Sequence, residues 1–184
     1  MTWLIVLVVL LVLVALAGVV VYNRLVRLRN RTENSWAQID VQLRRRHDLI
    51  PNLVEAVKGY AAHERGTFDE VTQARTAAQQ AQGVEQQANA ENMLTAALGR
   101  LFAVAEAYPV LRASENFQQL QAELTNTEDR IAAGRRFYNA NVRTLNTKVE
   151  SFPSNIVAGM FHFERAEYFE ADEPSVRAAP EVSF

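Results

Sequence analysis

The sequence predicts an all-α protein: an N-terminal transmembrane helix continuing into an elongated antiparallel helical bundle, with two long helices plus a shorter helical hairpin. Three observations predict it. Leu4–Val21 is an unbroken apolar run. Two long stretches beyond it place apolar residues alternately three and four apart, the spacing of a helical seam. Between them lie two shorter helical patterns separated by glycine and by a Gln/Ala-rich stretch.

The apolar run comes first. Its 18 residues rise roughly 27 Å as a helix, close to the hydrocarbon thickness of a bilayer. Trp3 and Tyr22 bracket it, where amphipathic rings favour the membrane interface, so residues 3–22 are expected to lie in the lipid bilayer. A cleaved signal peptide is the alternative, with Ala15-Leu16-Ala17 as its cleavage site. A basic leader is missing, however, and the apolar run continues past that point. Arg24, Arg27, Arg29 and Arg31 follow the span, whereas no charged side chain precedes it. The positive-inside rule then leaves a short N-terminus outside the cell and the rest in the cytoplasm, a single-pass arrangement in the inner (cell) membrane.

The first seam runs Trp36, Ile39, Leu43, Arg46, Ile50, Leu53, Val57 and Tyr60. No breaker separates it from the span, which predicts one helix over residues 3–62, bent at Pro51 because proline lacks an amide donor and crowds the preceding turn. Gly66 and Thr67 mark a break and a cap for a second helix, with Phe68, Val71, Arg75 and Ala78 inward. Residues 77–92 are low in complexity and offer little to bury, so a frayed tip is expected around Gly83. A third helix turns Met93, Leu94, Ala97, Leu98, Leu101, Phe102 and Ala105 inward and stops before Pro109.

The fourth pattern is the most regular. Phe117, Leu120, Leu124, Thr127, Ile131, Gly134, Tyr138, Asn141, Leu145, Lys148 and Phe152 keep the three–four alternation until Pro153. Gly134 would admit a neighbouring backbone closely, and Asn141 resembles the buried polar residues that fix register, though both also suit an ordinary bundle core. The connection brings the end of this helix back toward the membrane. Residues 153–170 form an apolar C-terminal segment near that end, and its Phe161 and Phe163 either cap the core or meet lipid or another subunit. The domain plan is therefore 1–23 for exterior terminus and span, 24–152 for the cytoplasmic bundle, 153–170 for the apolar segment, and a disordered tail at 171–184.

Chemistry-bearing motifs are scarce. Cysteine is absent, which removes disulfides, thiolate nucleophiles and thiolate metal sites. The formal charge of −2 gives no reason to expect nucleic-acid binding. Neither H-E-x-x-H nor a phosphate-binding glycine loop occurs, so no catalytic, cofactor or metal residue is assigned. His47 and Asp48 diverge on a helix, with Arg46 pointing along the seam, His47 on its flank and Asp48 outside beside Arg44. An arginine on the seam must find a carboxylate, and Glu128 on the opposing helix is the candidate. A metal-binding module or enzyme centred on His47, Asp48 and His63 is the minority reading.

Three blocks carry a family resemblance: "YNRLVRLRNRTENSWAQIDVQLRRRHDLIPNLVEAVKGYAAHE", "LGRLFAVAEAYPVLRASENFQQLQAELTNTEDRIAAGRRFYNANV" and "FPSNIVAGMFHFERAEYFE". Across about residues 20–170 the chain resembles the LemA family of bacterial membrane proteins, most specifically in "IDVQLRRRHDLIPNLV" and "RRFYN". The resemblance implies a single N-terminal span with a short exterior N-terminus and a long antiparallel helical domain. It brings no catalytic residue. Gly134 and "RTLN" (143–146) depart from the family's usual pattern in ways that touch packing. The expectation is a membrane-anchored, non-enzymatic scaffold or adaptor with no cofactor. It would act as a homo-oligomer or by binding an unidentified membrane or cytoplasmic protein. A membrane-shaping, lipid-contacting role is the alternative.

Overall fold

A computed structural model describes residues 1–170. The tail expected at 171–184 lies outside the described residues. Six helices follow in order: α1 (Thr2–Lys58), α2 (Arg65–Gln80), α3 (Val84–Glu106), α4 (Pro109–Arg112), α5 (Glu115–Glu150) and α6 (Ser154–Met160). Among the described residues there is no strand, as the seams predict. The chain divides into two compact units. One joins Met1–Asp40 to Ala132–Tyr168; the other is built on Val41–Ile131.

In the unit built on Val41–Ile131, parts of α1 and α5 share one core with α2, α3 and α4. Its core holds Ile50, Leu53 and Val57 of α1, Phe68 and Val71 of α2, Leu94, Leu98 and Leu101 of α3, Leu111, and Phe117 with Leu124 of α5. Phe102 and Phe117 meet edge to face, centroids 6.5 Å apart. Pro51 sits within α1 on its exposed side. Solvent-facing proline costs the helix one bond without disturbing the packed face.

Three local expectations fail here. Thr67 does not cap α2, which begins at Arg65 with Glu64 in the cap position. The Gln/Ala stretch is not frayed either: α2 runs to Gln80, α3 starts at Val84, and Gly83 turns the chain at φ 82°. Small residues explain it. Ala78, Ala88 and Ala90 are buried where helices approach closely, and Gln87 Nε2 donates to Ala78 O at 3.1 Å. Met93, expected inward, is instead exposed on α3.

In the other unit α1 and α5 run antiparallel, Ile39 facing Gly134 while Leu25 clusters with Leu145. The approach at Gly134 is so close that a Cβ there would lie 3.0 Å from Ile39 Cγ1. Trp36 and Tyr138 stack with centroids 5.4 Å apart. Asn141 is buried, and its Nδ2 has no hydrogen-bond partner among the described residues. After the cis Phe152–Pro153 peptide comes α6, whose Ala158 packs with Leu25 and Leu145. His162, at φ 55°, turns the chain out of α6 while Phe163 N–H donates to Ala158 O at 2.9 Å. This is the six-to-one closure of a left-handed helix end.

The chain then runs back along α5 as a non-helical strap, residues 161–168, that the sequence reading did not foresee. Asn146 holds it by both ends of its amide: Nδ2 donates to Ala166 O and Oδ1 accepts from Ala166 N–H, each at 2.9 Å. One turn-pair further along α5, Tyr138 donates its hydroxyl to Glu167 O at 2.8 Å. Burial, and next the Glu167 carboxylate, push the Tyr138 phenol up to about 12.

Candidate functional site

Two features of the described residues could carry function: a buried charged cluster around Arg46, and the apolar surface where α1 meets α6.

The cluster grows from the seam of α1. Because residue 46 falls on the apolar stripe, its guanidinium enters the core, and it is only 2% exposed. Glu91 of α3 and His47 of α1 are each 5% exposed. Arg46 Nη1 donates to Glu91 Oε2 at 2.8 Å. Its Nη2 reaches Glu128 Oε1 at 2.7 Å and the Thr95 hydroxyl at 2.8 Å. His47 Nε2 lies 2.7 Å from Glu91 Oε1. A carboxylate can only accept, so Nε2 is the protonated nitrogen of that ring. Gln87 Nε2 donates to the same oxygen at 2.9 Å, and Arg75 Nε donates to His47 O at 2.7 Å.

Glu91 therefore meets three donors on two oxygens, and a guanidinium fills the middle of the cluster. Buried charge is costly unless it is paired and hydrogen-bonded. Both oxygens of Glu91 are committed in this way, whereas Arg46 Nε is buried without a hydrogen-bond partner among the described residues and the Glu128 side chain is partly exposed.

The residues singled out in the sequence fall as follows. Arg46 and Glu128 come together. His47 joins them through Glu91, which the sequence reading did not name. Asp48 and His63 point away: both are exposed, Asp48 on the outer side of α1 and His63 in the turn that follows it. Among the described residues no three His, Cys, Asp or Glu side chains are grouped to hold a metal ion. One signal could have found Glu91. Stepping the α3 stripe Leu94, Leu98, Leu101, Ala105 back by three residues lands on it.

The second feature is apolar. α1 contains one stretch long and apolar enough to cross a membrane, and none of it is buried within the protein. Along its last turns, Val14 to Tyr22, lies a groove whose other wall is Pro153, Ile156, Val157, Met160 and Phe161. Phe161 stacks on Tyr22 with centroids 4.7 Å apart, and Phe163 meets the same ring at 5.7 Å. Arg29 lies over Phe163, its Cζ 5.3 Å from the ring centroid. Phe163 is buried, whereas Phe161, Ile156 and Met160 are not, Met160 being 68% exposed. Phe163 thus packs with Leu25, Leu145 and Ala158, while its apolar neighbours stay exposed. An unburied apolar stretch of this length, with more apolar surface alongside, fits membrane association.

Comparison with known proteins gives the lineage. The chain is 29% identical over 175 residues to magnetosome protein MamQ 2 of Paramagnetospirillum magneticum, a match covering 81% of this chain and 64% of that protein. Magnetosome protein MamQ of Magnetospirillum gryphiswaldense is 26% identical over 174 residues, with 80% and 64% covered. Protein LemA of Metamycoplasma hominis is 28% identical over 153 residues, with 82% and 69% covered. The matched region thus spans less than two thirds of the length of the magnetosome relatives. The LemA family itself matches over residues 35–184, a region that takes in the charged seam, the helical hairpin and the strap, and on that match the chain belongs to the LemA family.

Proposed function

We propose that this protein is a membrane-anchored helical scaffold, working through self-association or capture of a protein partner rather than through catalysis. The observation that carries the reading is the contrast between its interior and its surface. Both carboxylate oxygens of the buried Glu91 are taken up by Arg46, His47 and Gln87, while large apolar side chains stay exposed on the span and on α6. Converged polar groups of an active site keep at least one face open to a substrate; here Arg46, His47 and Glu91 are buried, and the large exposed side chains on the span and α6 are apolar, which suits contacts with lipid or protein. The names of the relatives, magnetosome protein and protein LemA, state no reaction.

In this reading residues 3–22 cross the inner membrane once, the short N-terminus lies outside, and the arginines from Arg24 to Arg31 hold the helical region that follows on the cytoplasmic side. Chemical crosslinking of the full chain in its native membrane tests the self-association. Discrete dimers or larger species are expected, and monomer alone would overturn it. Protease protection in intact cells tests the orientation, because digestion of the helical region from outside would reverse it.

A second reading, contact with the lipid surface as part of the protein's action, is favoured by one specific observation. Ile156 and Met160 of α6 are exposed although they line the groove beside the apolar stretch of α1.

A further inference from the structure

The groove between α1 and α6 has a volume of about 550 Å³, within the range of sites that enclose small ligands. Its walls are Val14, Ala15, Gly18 and Tyr22 on one side and Ile156 and Met160 on the other, without a charged residue. We propose that it seats one acyl chain of an anionic phospholipid, whose headgroup is met by Arg29. This rests on the reading that residues 3–22 span the bilayer.

Depth is the first argument. From Val14 to Tyr22 the helix rises about 12 Å, most of one leaflet of a hydrocarbon core about 30 Å thick. α6 lies against this stretch, so it shares the depth of the acyl chains on the side where the charged part of the protein begins.

The second argument is that α6 is made to tolerate lipid. A backbone in hydrocarbon must satisfy its own polar groups. Asn155 N–H donates to Ser151 O at 2.9 Å, Phe161 N–H to Val157 O at 3.1 Å and Phe163 N–H to Ala158 O at 2.9 Å, so both ends of this short helix are closed. The Ser154 hydroxyl lies 2.7 Å from Lys148 O and 2.9 Å from Ser151 O. Ile156 and Met160, on the groove side of this helix, are exposed side chains that water would penalise.

Shape and charge give the third. Gly18 lies in the groove wall with nothing within 4 Å of where its Cβ would stand, so the space beside it is open. Arg29 lies on the same side of α1 as Tyr22, two turns or about 10 Å further on, at headgroup depth. It rests over Phe163, which itself meets Tyr22, and it forms a loose, exposed ion pair with Glu33 at 3.8 Å. A phosphate can compete for such a guanidinium, because exposed pairs contribute little.

Native mass spectrometry of the full chain, with phosphatidylglycerol or phosphatidylcholine added in detergent, tests the proposal. The expected result is one retained phosphatidylglycerol per protomer, with weaker retention of phosphatidylcholine. Gly18→Leu fills the groove from an open position and is expected to lower retention of both lipids at least about ten-fold. Arg29→Gln, a surface change that leaves folding intact, is expected to keep the chain bound and erase the preference for the anionic lipid. Equal retention by wild type and Gly18→Leu would overturn the proposal. So would a disulfide between copies carrying Gly18→Cys and Ile156→Cys, since a second protein chain would then occupy the groove. Liposome flotation of the same preparations separates the two readings. A protein that floats but fails the lipid test loses only the acyl-chain site, whereas one that does not float loses the anchor as well.

Discussion

Asn146 and Ala166 exchange two hydrogen bonds, the side-chain amide of one standing in for a neighbouring strand's peptide group to the other. An asparagine is suited to this because its amide offers a donor and an acceptor in one plane. Asn146→Ala removes both bonds at once and leaves a half-buried backbone amide and carbonyl without partners. The expected cost is about 1–3 kcal/mol. Limited proteolysis should show it as earlier cleavage within residues 161–168, before any loss of helical circular dichroism.

The charged cluster should respond unequally to its two carboxylates. Glu91 is buried beside Arg46, so Glu91→Ala strands a guanidinium in the core and is expected to cost about 3–5 kcal/mol. Glu128 is far more exposed, and Glu128→Ala should cost only about 1 kcal/mol or less. Urea denaturation of both variants makes the comparison. The double variant Arg46→Met with Glu91→Leu should recover only part of the loss, because it removes both buried charges but leaves the buried His47 Nε2 without its acceptor.

Two glycines in helices should behave in opposite ways. Gly99→Ala in α3 meets nothing within 4 Å and should stabilise by about 1 kcal/mol through helix propensity. Gly134→Ala gains the same propensity, but its Cβ would press on the buried Ile39 side chain at 3.0 Å. Overpacking of about 1–3 kcal/mol then outweighs the gain. Thermal melts should move up for the first variant and down for the second.

Alkaline pH should loosen the strap through Tyr138. Its phenol is raised from 10.0 to about 12, so the folded state holds the proton more tightly than the unfolded chain. The stability this contributes is complete below pH 10 and is lost as pH rises through about 12. Tyr138→Phe should remove that pH-dependent loss, and tyrosinate absorbance read alongside unfolding will show whether the two coincide.

How far the sequence foretold this structure depends on whether a feature has a period. The α5 stripe from Phe117 to Leu145 is buried or half-buried at every predicted position, because a repeated three–four spacing states which face is inward. The Arg46–Glu128 pair followed from that same geometry. Glu91 did not, since a lone acid among alanines and glutamines reads as solvent-facing until the α3 stripe is extended back to it. The strap was hidden for a different reason. An irregular segment has no repeat, and its attachment depends on Asn146, a polar residue one step off the predicted stripe.

The strap's attachments also lie in series. Counted from its far end, the chain meets the Tyr138 hydroxyl at Glu167, then the Asn146 amide at Ala166, then the rings around Phe163, and only last α6. A pull applied at Tyr168 would load these bonds one at a time, as a peel and not as a shear. Each step is weak alone, so the strap unzips under small forces while α6, at the fixed end of the zip, is the last part to come away.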